Sequence, residues 1–100
     1  MIKHIVFWRL NDSAYGNEKQ INAKILKDKL LAMQSKVDGL LKVEVGFDFS
    51  KEKDSCDVAL YSEFTTREAL HQYQIHPDHE EIKKWLSKVR YERRVVDYEI

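Results

Sequence analysis

Between residues 41 and 64 the sequence alternates twice. Leu41, Val43, Val45, Phe47 and Phe49 are apolar, and Lys42, Glu44, Gly46 and Asp48 stand between them. After a polar run from Ser50 to Ser55, Cys56, Val58, Leu60, Ser62 and Phe64 alternate with Asp57, Ala59, Tyr61 and Glu63. A period of two puts every second side chain on one face of an extended strand. The composition of the 50–55 run is that of a turn, so the stretch predicts two strands folding back on each other. A hairpin with one apolar face must bury that face against something else. The rest of the chain therefore has to supply further strands and a helical cover.

It supplies both. Residues 2–10, Ile-Lys-His-Ile-Val-Phe-Trp-Arg-Leu, are rich in β-branched and aromatic residues and predict a strand. One of its faces carries Ile2, His4, Val6, Trp8 and Leu10, the other Lys3, Ile5, Phe7 and Arg9. Apolar residues on both faces predict a strand covered on both sides. A loop is expected over 11–16. Asn17 with Gln20 reads as a capping box that opens a helix. Ile21, Ile25, Leu26, Leu30, Met33 and Val37 then follow at helical spacing, and Asp38-Gly39 is the expected stop. Thr65 with Glu68 reads as a second capping box, opening a short helix that carries Ala69, Leu70 and Tyr73. A further helix has Ile82, Trp85, Leu86 and Val89 as its apolar stripe, and residues 91–100 close the chain as a strand with Val95, Val96, Tyr98 and Ile100.

Strand, helix, strand, strand, helix pair, strand is an α+β order. Right-handed crossovers place the helices on one face of a four-stranded antiparallel sheet, the ferredoxin-like arrangement. The other sheet face has no helix of its own, yet Phe and Val residues occur on both sides of several strands. A second copy of the chain is the simplest cover, giving a homodimer whose two sheets pack face to face as an α+β barrel.

One hundred residues predict a single domain, 1–100. Lys+Arg and Asp+Glu are 17 each, so the net charge is zero. A nucleic-acid or membrane-surface protein needs a basic field, so neither partner is expected. A lone cysteine, Cys56, rules out an intrachain disulfide and suits a reducing compartment. It reads as a small hydrophobe within its strand. No apolar run reaches the roughly 20 residues that span a bilayer, and the first residues enter a strand without signal-peptide architecture. A soluble, cytoplasmic protein is the expectation.

The stretch Tyr73-Gln-Ile-His-Pro-Asp-His79 holds two of the four histidines and the single proline. Pro77 suits the first turn of a helix and pushes the residue before it out of the helical region, which makes His76 the N-cap or boundary residue and ends the preceding helix near Gln74 or Ile75. Asp78, Glu80 and Glu81 crowd the first turn, where acidic side chains suit the helix dipole. His79 lies among them. The helix N-terminus favours its neutral form and the carboxylates favour its cation, so sequence leaves its charge open. His71, His76, His79 and Glu80 lack the spacing of a metal motif, and neither metal nor cofactor is expected.

With the opening Ile2-Lys-His-Ile-Val-Phe7, the central His-Pro-x-His and the closing Arg94-Val-Val-Asp-Tyr98, the chain resembles the stress-responsive A/B barrel (Dabb) family over essentially its whole length. The resemblance implies a dimeric α+β barrel and no single activity, since most members have no assigned reaction. In the plant polyketide cyclases of that family, which close a linear polyketide by aldol condensation, the catalytic tyrosine and histidine fall on Tyr73 and His79. There the histidine would be the general base and the tyrosine its partner or a stabiliser of the enolate oxygen. A pocket histidine falls on His4, and a second is replaced by Val58, which alters the lining. His4, Val58, His76 and Trp85 are the expected pocket residues. Two functions follow: a dimer that binds a small hydrophobic or carbonyl-containing molecule near Tyr73 and His79, or a cofactor-independent lyase or cyclase. A monooxygenase, which shares the barrel, rests on fold analogy alone.

Overall fold

The computed structural model describes residues 1–100. Strand β1 (Ile2–Leu10) has the period expected of it: Ile2, His4, Val6, Trp8 and Leu10 are buried, while Lys3, Ile5, Phe7 and Arg9 are half-buried or exposed. Two short strands, β2 (Ser13–Ala14) and β3 (Asn17–Glu18), precede helix α1 (Lys19–Leu31). Then come β4 (Leu40–Phe47), β5 (Val58–Phe64), α2 (Arg67–Ile75), α3 (Pro77–Val89) and β6 (Arg90–Glu99). The four long strands form one antiparallel sheet in the order β4-β5-β1-β6. This is the ferredoxin-like order, with the hydrophobic core between the sheet and the three helices.

Register decides which side chains meet. His4 stands between Ser62 of β5 and Asp97 of β6, and Trp8 between Val58 and Arg93. Directly paired residues share a face, so all of these lie on the helix side. The open face carries Lys3, Ile5, Phe7, Tyr61, Val96 and Tyr98. There the Lys3 ammonium meets Glu63 at 2.8 Å and also the Tyr61 hydroxyl, which holds it protonated well above its ordinary range.

Local details depart from the sequence expectations. The 11–16 loop contains part of a hairpin: Tyr15 (φ 53°) and Gly16 (φ 75°) form its two-residue turn, both at positive φ as a primed turn requires. Asn17 is therefore a strand residue and forms no capping box. Glu18 is the N-cap, without a side-chain cap bond. Helix α1 stops at Leu31 instead of Val37, and tight i to i+3 bonds, Met33 N–H to Leu30 and Lys36 N–H to Met33, turn the chain back toward the sheet. Ile21 is exposed, and Asn22 is buried in its place, its amide donating to the Ala14 carbonyl at 3.0 Å.

A register irregularity between Leu40 and Lys42 turns Leu40 inward and Leu41 outward, against the alternation expected of the strand. Phe47 is exposed, and Phe49, beyond the end of β4, is 94% exposed. Cys56 lies half-buried in the loop before β5, outside the strand. The cap of α2 is Thr66, not Thr65: its hydroxyl accepts the Ala69 N–H at 3.1 Å.

Candidate functional site

The even-numbered face of β1 carries His4 beneath the helices, where it is only 2% exposed. Its neighbours are dictated by register. Ser62 donates its hydroxyl to the His4 carbonyl at 2.8 Å, and the Asp97 carboxylate meets the imidazole Nδ1. A carboxylate accepts, so Nδ1 is the ring nitrogen that donates to Asp97.

Tyr73 comes down from α2 and is wholly buried. Its ring packs 4.4 Å from that of His79, 5.2 Å from Phe64 and 6.2 Å from His4, centre to centre. Its hydroxyl has no hydrogen-bond partner, and burial pushes its pKa up, so it stays a phenol. Tyr73 and His79 are thus joined by packing, not by the hydrogen bond that a tyrosine holding a catalytic base would make.

The His-Pro junction places His79. His76 caps α3, with its Nδ1 accepting the Asp78 N–H at 3.0 Å, and Pro77 takes the first turn. One helical turn in, His79 directs Nδ1 at the Gln74 carbonyl, 3.2 Å away. A carbonyl cannot donate, so Nδ1 bears the hydrogen and Nε2 is left as acceptor or base. Burial lowers the His79 pKa to about 4; the Gln74 carbonyl opposes this, and the charges of Lys83 and His4 add to the lowering. The carboxylates of the first turn do not win: Glu80 is the smallest of the contributions.

Between β1 and α3 lies a cavity of about 300 Å³, at the small end of ligand sites. The sheet contributes His4, Val6, Trp8 and Leu60, and α1 contributes Leu30. Helix α3 adds His79, Ile82, Lys83 and Leu86, and the start of β6 adds Arg90 and Arg93.

Of the residues expected at the site, His4 and His79 line this cavity, and Tyr73 packs against both without lining it. The other three lie elsewhere. Val58, buried opposite Trp8, borders a different cleft with Phe7, Phe47 and Cys56. His76 is engaged in the helix cap. Trp85, at the border of the α3 stripe, stacks on Tyr15 at 6.3 Å and 9° with the Lys29 ammonium over its ring. Asp97, Lys83, Arg90 and Arg93 were not singled out from sequence. Asp97 could have been, because pairing the closing strand with the first sets it opposite His4.

The family model for the stress-responsive A/B barrel domain, Dabb, matches residues 2–100. The chain belongs to the Dabb family. A dimeric ferredoxin-like protein of unknown function from Bacteroides fragilis is 32% identical to this Dabb protein, with a TM-score of 0.86 over 99% of this chain and 95% of its own. A Dabb protein from Mesorhizobium loti (21% identity, TM-score 0.74, 99% and 95% covered) shares the fold. So does the hydroxynitrile lyase of Passiflora edulis (20% identity, TM-score 0.81, 99% and 92% covered). Nothing among curated protein sequences matches the chain.

Proposed function

We propose that this Dabb protein is a homodimer that binds a small, largely apolar, carbonyl-containing molecule in the cavity beside His79. The observation that carries the reading is the pairing of opposite hydrogen-bonding needs in one apolar cavity. His79 brings an imidazole whose Nδ1–H is tied to Gln74, leaving Nε2 as acceptor. Trp8 brings a buried indole N–H with no partner. A buried donor without a partner costs about 1–3 kcal/mol, and a carbonyl oxygen would satisfy it. His4 lines the floor, fixed by Asp97, and Tyr73 backs His4 and His79 from behind by aromatic packing.

The homodimer is supported by the open sheet face, where Phe7, Val96 and Tyr98 are 38%, 47% and 44% exposed beside the half-buried Ile5. The Bacteroides fragilis relative is itself dimeric, which supports a dimer without naming its face.

A second reading is a cofactor-independent lyase or cyclase in which His79 Nε2 takes an α-proton, with Tyr73, packed against the His79 ring, as its partner. The fixed Nδ1–H, which leaves Nε2 free, favours it. A pKa near 4 makes His79 a weak base at neutral pH, which favours binding over turnover as the primary role.

A thermal-shift screen of β-diketones, lactones and aromatic carbonyl compounds tests both. A ligand at a hundred times its dissociation constant adds about 2.7 kcal/mol, roughly ten degrees or more for a domain of this size. The stabilisation should disappear in His79→Ala. Product formation that also disappears in this variant would establish the enzyme; stabilisation without turnover would establish the binder. No stabilisation by any member of the panel would refute the site.

A further inference from the structure

The charges around the cavity are unbalanced in a protein whose charges otherwise cancel. Lys83, Arg90 and Arg93 all line it, and no carboxylate does. Lys83 is partnered by Glu80 at 2.8 Å, both side chains half-exposed. The two arginines make no ion pair. The carboxylates of their own strand are all engaged elsewhere: Glu92 with Arg9 and Arg94, Asp97 with His4, and Glu99 with Arg67. A second, independent observation lies deeper. Trp8, 4% exposed and one of the lining residues, has an indole N–H without any acceptor.

Cations at the mouth, an unanswered donor inside and walls of Val6, Leu30, Leu60 and Ile82 are complementary to one kind of molecule. We propose that the cavity selects a small carboxylic acid with a compact apolar body. Its carboxylate would be held by the Arg90 and Arg93 guanidiniums, and its apolar part would lie against the β1 and α3 side chains. An arginine fork matches a carboxylate with two parallel hydrogen bonds, which a neutral carbonyl cannot accept as strongly. The low-dielectric walls strengthen that discrimination. A cavity of about 300 Å³ suits a monocyclic acid rather than a nucleotide-sized cofactor.

This inference rests on the cavity being the ligand site, and a matched pair of probes separates the two claims. Benzoate and benzamide differ in charge and little in shape. Isothermal titration of the purified dimer at neutral pH should give benzoate the tighter binding by tenfold or more. The preference should vanish in Arg90→Gln/Arg93→Gln and largely survive in Arg93→Lys. If the double variant does not fold, Arg93→Gln alone, at an exposed position on the cavity rim, should still reduce the preference. Rising ionic strength should weaken benzoate and leave benzamide unchanged.

Equal binding of the two probes, or a preference that survives the double substitution, overturns the anion inference while leaving the cavity in place. Failure of both probes to bind overturns the inference and the cavity reading together. Benzamide binding that is lost in His79→Ala, without any acid preference, refutes the anion site alone.

Discussion

His79 sits in the first turn of a helix, next to Asp78 and Glu80, and its titration could have gone either way. Burial decides it, bringing its pKa from 6.5 to about 4. The sign of the resulting pH dependence follows from linkage. Above pH 6.5 both folded and unfolded forms are neutral and the protein has its full stability. Below that the unfolded chain takes up the proton first, and stability falls until the folded pKa is reached. Because His79 is only partly buried, the expected loss between pH 7 and pH 5 is discounted to on the order of 1 kcal/mol. Urea melts of wild type and His79→Gln at the two pH values should differ in slope, with the variant flatter. Identical slopes would show that His79 is not held neutral by the fold. The window avoids Asp48, Glu63 and Asp78. Hydrogen bonds hold their carboxyls below their ordinary values of 3.8 to 4.5, so their contributions are lost only at lower pH.

At the scale of elements, start and stop signals were legible to within a residue only where the local chemistry has one solution. His76-Pro77 is such a case, since proline can start a helix but not continue one, and the structure has His76 as the cap. The capping pair at Asn17 was misleading, because a preceding hairpin had a competing use for that residue. Gly39 was expected to end a helix; it ends the turns that follow one. It holds φ +85°, and a Cβ there would stand 2.6 Å from Thr65 Oγ1 and 2.7 Å from Ala69 Cβ, at the start of α2. Gly39→Ala should therefore cost about 2–4 kcal/mol, combining left-handed strain with a clash against a buried neighbour. Chemical denaturation would measure it. A loss below about 0.5 kcal/mol would mean that the turn before β4 can move away from α2 at little cost.

For the whole molecule, the informative surface is the sheet face without helices. Ile5, Phe7, Val96 and Tyr98 form an apolar patch across β1 and β6, on the face proposed above for the homodimer. Phe7→Asp with Val96→Lys places charges at the centre of that face. Light scattering should then show the mass of one chain, 11.9 kDa, in place of a dimer. A dimer of unchanged stability would move the interface elsewhere. No helix is long and apolar enough to cross a membrane.

What the sequence determined by itself was the order and type of the long elements, the period of β1 and the boundary at His76. Each is a local matter of periodicity or of one residue's backbone chemistry, carried within a few positions of the chain. The tertiary structure alone decided which residues meet at the candidate site. His4 acquires Asp97 from 93 positions away by strand register. The cavity acquires Arg90 and Arg93 because β6 pairs beside β1. Val58, His76 and Trp85 drop out because pairing, capping and stacking claim them first. Pocket membership depends on where strands and helices meet in three dimensions, and His79's neutrality depends on how much solvent those meetings exclude. Neither quantity has a local signature.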